Sequence, residues 1–171
     1  MQSPLGYVVS CPWCWDRRAV PGEFPSLFCT VCGRSAQLAG PLWTGRLWDT
    51  VLLHQLLADN RCLATGEKAR AALTGWLAES AAPPLFYDLH AAAAHCGAVA
   101  MPRLEVVKQR LTSSGYLAVR THFSRAGIKT DAGPDHLLRV IGAPEHYAGR
   151  TAFGTRLRNV GDQERDGDPK G

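Results

Sequence analysis

The sequence has no apolar run close to the roughly 20 residues that an α-helix needs to cross a bilayer, so a helical membrane span is not expected. Its first nine residues, MQSPLGYVV, carry neither a basic segment nor a long apolar one, and no secretory signal is read there. There is no internal repeat and no low-complexity tract. Charge is modest. Only 20% of residues are charged against 46% hydrophobic, a composition of globular rather than disordered chains. The formal net charge is +4 and the pI about 8.8, a mild basic excess that suits an anionic partner without identifying one. These absences point to a cytoplasmic, reducing setting, and 171 residues allow one ordinary domain or two small ones.

Of six cysteines, Cys62 and Cys96 stand alone and the other four form two C-x-x-C pairs, Cys11/Cys14 and Cys29/Cys32. In a chain with no secretory signal, paired C-x-x-C spacing favours a metal over disulfides. Residues 5–40 are too few, and too rich in Gly and Pro, to fold on packing alone. Four thiolates suit tetrahedral Zn²⁺, and a site closed by four protein ligands is structural rather than catalytic. Gly33, directly after the second pair, fits a residue that must take positive φ. The alternatives are four ordinary buried thiols or a redox pair, and redox C-x-x-C motifs usually come singly.

Leu5–Ser10 reads as a strand, and Gly40-Pro41-Leu42-Trp43 as a linker with turn chemistry. Helices are expected over 46–60, from the spacing of Trp48, Leu52 and Leu56, and over 67–80 with Thr65 as N-cap. After Pro83-Pro84, residues 85–87 form a short strand. Asp88 then caps a helix over 89–96 that Gly97 ends. A fourth helix runs from Pro102 to Ser114, with Leu104, Val107 and Leu111 as its apolar stripe. Tyr116 to Asp131, YLAVRTHFSRAGIKTD, then reads as a β-hairpin, and 135–141 as a closing helix. Between residues 102 and 131, Arg103, Lys108, Arg110, Arg120, Arg125 and Lys129 oppose only Glu105 and Asp131, a net +4 that equals that of the whole chain.

The element order is that of a winged helix, a helix-turn-helix variant. The expected fold is therefore α+β: a small four-cysteine zinc ribbon followed by a winged-helix-like domain with a β-hairpin wing. The expected units are 1–40 for the ribbon, 41–145 for the second domain and 146–171 for a disordered polar tail. Arg103, Lys108, Arg110, Arg120, His122, Arg125, Lys129 and Thr130 are the candidate nucleic-acid contacts, because basic and hydroxyl side chains on one helix edge and one hairpin suit phosphates. A merely solvated charged face is the competing reading. His90 and His95 lack metal-pair spacing, and Trp48 and Trp76 read as packing anchors.

Gly6-Tyr7 before CPWC, then CTVCG, then Gly40-Pro41-Leu42-Trp43, resembles the middle of the tRNA (guanine-26-N2)-dimethyltransferase family. Residues 84–90, PLFYDLH, are similar to that family's PLYYDLHEL segment. Residues 115–123, GYLAVRTHF, with Gly127-Ile128-Lys129-Thr130-Asp131, resemble its GYRASRTHFxxxGIKTD signature. The resemblance covers about residues 5 to 141 in order and spacing. It implies the tRNA-binding C-terminal half of an enzyme that methylates the exocyclic amine of guanine using S-adenosylmethionine. The methyltransferase domain that opens family members is not found, nor is a strand, Gly-rich turn and helix of the kind that binds the cofactor. Pro83-Pro84-Leu85-Phe86 lacks the leading acid or amide of the amino-methyltransferase motif and is read as a decoy. No catalytic or cofactor-binding residue is therefore carried over, and S-adenosylmethionine is expected only through a missing or separate domain. A fragment, a remnant, or one partner of a split enzyme would each fit, with tRNA and, in the split case, a separate methyltransferase-domain polypeptide as partners. The competing functions are a DNA-binding regulator and a protein-interaction module.

Overall fold

The computed structural model describes residues 4–59 and 66–143. It opens with a three-stranded antiparallel sheet in the order β2-β1-β3, formed by β1 (Leu5–Ser10), β2 (Arg17–Pro21) and β3 (Gln37–Trp43). Val8 and Val9 supply the β-branched centre of β1, and Val9 is buried. The β1–β3 register shifts between Gly6 and Val8. Gly40 sits opposite this irregularity with φ 142°, where a Cβ would come within 2.7 Å of the Tyr7 ring, so only glycine fits. The stretch 40–43 is thus the end of a strand and not a linker, and the expected boundary after residue 40 falls inside β3.

Helix α1 (Thr50–Ala58) starts later than its apolar spacing suggests, because the Asp49 side chain accepts from the Val51 and Leu52 N–H groups at 2.9 and 3.0 Å. Helix α2 (Glu67–Glu79) begins after Gly66; the expected cap Thr65 lies outside the described residues. Trp48 stacks on Trp76 with ring centroids 4.9 Å apart, which fastens α2 to the segment before α1.

Strand β4 (Tyr87–Asp88) is followed by α3 (Leu89–Cys96), capped by Asp88 and ended by Gly97 at φ 68°. Then come α4 (Leu104–Ser113), β5 (Ala118–Arg120), β6 (Gly127–Thr130) and α5 (Pro134–Ile141). The second sheet is antiparallel, in the order β4-β6-β5. Leu89, Val107, Leu111, Ile128, Leu137, Leu138 and Ile141 are fully buried where α3, α4 and α5 meet it. Trp15, from the cysteine-bearing part, enters the same core against Tyr87 at 5.5 Å and His95 at 5.4 Å. Among the described residues no helix is long and apolar enough to cross a membrane. The tail 146–171 lies outside the described residues.

The expected zinc ribbon plus winged helix is corrected here. A wing projects from its domain, but β6 is the central strand of three, flanked by the two-residue β4, and all four of its residues are buried. Lys129 is 1% exposed and Thr130 4%. The Lys129 ammonium meets the Glu79 carboxylate at 3.2 Å, and Glu79 is itself only 3% exposed. Two more groups converge on that carboxylate. His122 brings its backbone N–H at 2.6 Å and Nδ1 at 3.0 Å, and Thr121 donates its hydroxyl at 3.3 Å. The end of α2 is thereby locked onto the β5–β6 connection. Burial pushes the Glu79 carboxyl up, but the hydrogen bonds from His122 and the Lys129 charge outweigh it and hold the group below its ordinary value of 4.5.

Removing one partner of a buried ion pair strands the other, so Lys129→Met is expected to cost about 3–5 kcal/mol in urea unfolding followed by circular dichroism. The lowered Glu79 pKa means stability that is fully present above pH 4.5 and lost as pH falls through the folded value. Unfolding free energy should therefore fall more steeply below that pH in the wild type than in Glu79→Gln.

Candidate metal centre and nucleic-acid interface

The four paired cysteines are brought together. Cys11 and Cys14 follow β1, and Cys29 and Cys32 follow the loop from β2. Cys11 and Cys32 Sγ atoms lie 3.5 Å apart, as do those of Cys14 and Cys29, and all four sulfurs fall within 4.8 Å of one another. Four thiolates at about 2.3 Å from a tetrahedral Zn²⁺ would be separated by roughly 3.8 Å, so the donor set and its spacing fit that ion. Three of the cysteines are buried and Cys32 is half-buried, and four thiolates would fill the shell of a tetrahedral ion.

The two pairs are built alike. Trp15 N–H donates to Cys11 O at 3.0 Å, and Gly33 N–H to Cys29 O at 2.8 Å. The fourth residue after each first cysteine takes positive φ, 64° for Trp15 and 71° for Gly33. Glycine does this freely; tryptophan does it at a cost, held by the core contacts of its ring. Val31 N–H points at Cys29 Sγ at 3.4 Å. Burial raises the Cys11 thiol, but the backbone donors of Cys14 and Trp13 outweigh it and the net shift is downward. Burial pushes the Cys14 thiol up. A cation is what would favour the thiolate at all four positions.

The candidate nucleic-acid residues divide. Arg103, Arg110, Arg120, His122 and Arg125 are exposed and Lys108 is half-buried. Arg110 also donates to Val140 O at 2.9 Å, which ties α4 to α5. Lys129 and Thr130 are buried, the first held by Glu79 and the second accepting from Ala132 N–H at 3.1 Å, so neither presents itself to a phosphate. His122 is exposed at its edge but anchored by Glu79. Cys96 is buried in the core and Cys62 lies outside the described residues. Glu79 escapes sequence reasoning, because nothing at the end of α2 marks it as the partner of residues 42 to 50 positions later. Arg17 escapes it too. Its guanidinium crosses to Phe86 O at 3.2 Å and lies 4.7 Å from the Trp15 ring centroid.

A sequence model described as N2,N2-dimethylguanosine tRNA methyltransferase matches residues 1–142. A tRNA (guanine(26)-N(2))-dimethyltransferase of Methanothermobacter thermautotrophicus is 33% identical over 140 residues, covering 80% of this chain and 37% of that protein. One of Methanosphaerula palustris is 34% identical over 141 residues, covering 81% of this chain and 38% of that protein. The chain therefore spans little more than a third of the length of these curated relatives. Among solved structures, Trm1 from Pyrococcus horikoshii in complex with S-adenosyl-L-methionine matches with a TM-score of 0.65 at 28% identity, over 81% of this chain and 35% of that one. This likeness assigns the architecture to that protein's own fold, in place of a generic zinc ribbon and winged helix.

The cysteine geometry generates one expectation. The chain should bind on the order of one Zn²⁺, and Cys14→Ser should lose it, as read by metal release to a chromogenic chelator. Chelation should also abolish the near-ultraviolet dichroism of Trp15, whose backbone is part of the first cysteine turn.

Proposed function

Because the chain belongs to the N2,N2-dimethylguanosine tRNA methyltransferase family, we propose that its described residues hold tRNA for methylation of a guanine exocyclic amine. The relatives' names specify guanine 26 of tRNA as the site. The observation that carries the holding role is the set of surface cations from α4 to the β5–β6 turn: Arg103, Lys108, Arg110, Arg120 and Arg125. With Lys129 withdrawn into its ion pair, these five supply the basic excess of the 102–131 stretch. Each side chain that neutralises a phosphate releases condensed counterions, so affinity should fall as salt rises. Arg is suited to this work because its fork of donors matches phosphate oxygens.

In this reading the cysteine quartet holds Zn²⁺ structurally and keeps the β1–β3 sheet folded beside the basic region. S-adenosylmethionine supplies the methyl group in the family reaction. The common seat for such a cofactor is the Gly-rich turn between a parallel strand and a helix. Both described sheets are antiparallel, so the described residues do not fit that seat and no step of the transfer is assigned to them. The whole reaction is proposed for the family protein, of whose length this chain spans about a third. The comparisons lend no support to a separate methyltransferase-domain polypeptide as a partner. Cytoplasmic residence, where tRNA is used, is part of the proposal.

The test is binding of a tRNA transcript by filter retention over a salt series. Arg120→Glu with Arg125→Glu is expected to weaken binding by at least about tenfold and to flatten the salt dependence by about two charges. Unchanged affinity and slope in a variant that folds would contradict the holding role. The chain alone should incorporate no labelled methyl groups into tRNA; incorporation would place a cofactor site where none is assigned.

A further inference from the structure

Between the cysteine-bearing sheet and the second sheet lies a groove of about 450 Å³. One wall comes from β1 and β3, ending on Trp43; the other comes from the segment before β4, with Phe86, and from Phe123 just after β5. Two of its large aromatic side chains face water. Phe123 is 57% exposed and Trp43 51%. Neither ring is loose. Phe123 stacks on Phe86, with centroids 5.8 Å apart and planes 14° from parallel. His122 lies against it at 3.9 Å, its own ring fixed by Glu79, and the Phe123 N–H donates to Thr121 Oγ1 at 3.3 Å. The Trp43 indole N–H donates to Arg46 O at 3.1 Å. Among the described residues, the one charged side chain lining the groove is Arg17, and no acid lines it.

We infer that this groove is a stacking platform for an unpaired nucleotide of RNA, with Phe123 and Trp43 offered to the base and Arg17 to its phosphate. The occupant follows from the chemistry of the walls. Fixed, exposed π-faces bind flat π-systems, and base–aromatic stacking is tolerant of sequence because every base has such a face. Arg17 already donates to Phe86 O and lies over the Trp15 ring, but it is the one charged side chain lining the groove and no acid lines it, which favours an anionic ligand, and a nucleotide combines a π-face with a negative charge. The base must be unpaired, since a base inside a duplex has both faces covered by its neighbours. The Glu79 network also serves the site: Glu79 fixes Thr121 and His122, which precede Phe123 and hold its backbone and ring. The inference rests on the proposed tRNA-holding function and specifies a contact that the surface arginines cannot make, because phosphate contacts alone do not distinguish single strands from duplex.

The experiment uses the full chain, a single-stranded RNA of about twelve nucleotides with one 2-aminopurine, the same RNA annealed to its complement, and a tRNA transcript. Stacking on the platform is expected to quench 2-aminopurine in the single strand. Phe123→Leu and Trp43→Leu keep apolar bulk but remove the π-face. Each is expected to weaken single-strand binding by about tenfold while changing duplex binding less than about twofold. A thermal melt of each variant establishes that it folds, and the two exposed positions give independent readings. If wild type binds tRNA but both variants bind and quench as wild type does, the platform is overturned and the tRNA-holding role stands. If wild type binds RNA without quenching, the groove serves some other occupant, such as an apolar protein segment, and the platform is likewise overturned. If wild type quenches in a Phe123-dependent way but ignores tRNA, the platform stands and the tRNA-holding role falls.

Discussion

A carboxylate removed from water is tolerable only where donors replace its hydration, and around Glu79 they do. A backbone N–H, an imidazole, a hydroxyl and an ammonium all reach its two oxygens. All four of these groups come from one short stretch, Thr121 to Lys129, and the acid comes from the end of α2. The interaction therefore joins two parts of the chain far apart in sequence, alongside the edge contact of the Trp76 ring with His122 at 6.2 Å. It also sets the conformation of the β5–β6 connection, on which the exposed Arg120, Arg125 and Phe123 are displayed. The surface chemistry of this region depends on a charge buried beneath it.

The cysteine quartet plays the matching part at the other end. The β1–β3 sheet has little core of its own; its buried apolar residues beyond the cysteines are Val9 and Trp15. Trp15 belongs to both parts, since its backbone closes the first cysteine turn and its ring fills the helical core. Arg17 repeats the connection two residues later through Phe86. The cysteine cluster, through these residues, fixes one wall of the groove, and the Glu79 network fixes the other. The chain belongs to a tRNA methyltransferase family, and under the proposed holding role both walls would stand beside the exposed arginines of the 103–125 stretch.

Much of this was legible in the residues. The C-x-x-C pairs, the Asp88 cap with its Gly97 stop and the Val107/Leu111 stripe are local signals with local causes, and each appears where its spacing places it. The misplaced wing, Lys129 and Thr130 share one physical origin. A short strand over 85–87 is expected from the sequence, but its partner about 40 positions later is not, and the pairing of Tyr87–Asp88 turns β6 from the outer arm of a hairpin into a central buried strand. Lys129 changed accordingly from a surface cation to half of an ion pair, and Thr130 followed it inward. Gly40-Pro41 read as punctuation because a bulged strand and a turn use the same residues. Glu79 and Arg17 could not be singled out at all, since their partners lie 42 and more positions away and a single sequence carries no trace of such pairings.

The most direct test of RNA holding by this surface is photo-crosslinking of the whole chain to tRNA, with the crosslinked peptides identified by mass spectrometry. Crosslinks are expected on the 103–125 stretch and on Trp43 or Phe86 at the groove. Crosslinks confined to the exposed faces of α1 and α2, with none on these residues, would contradict it.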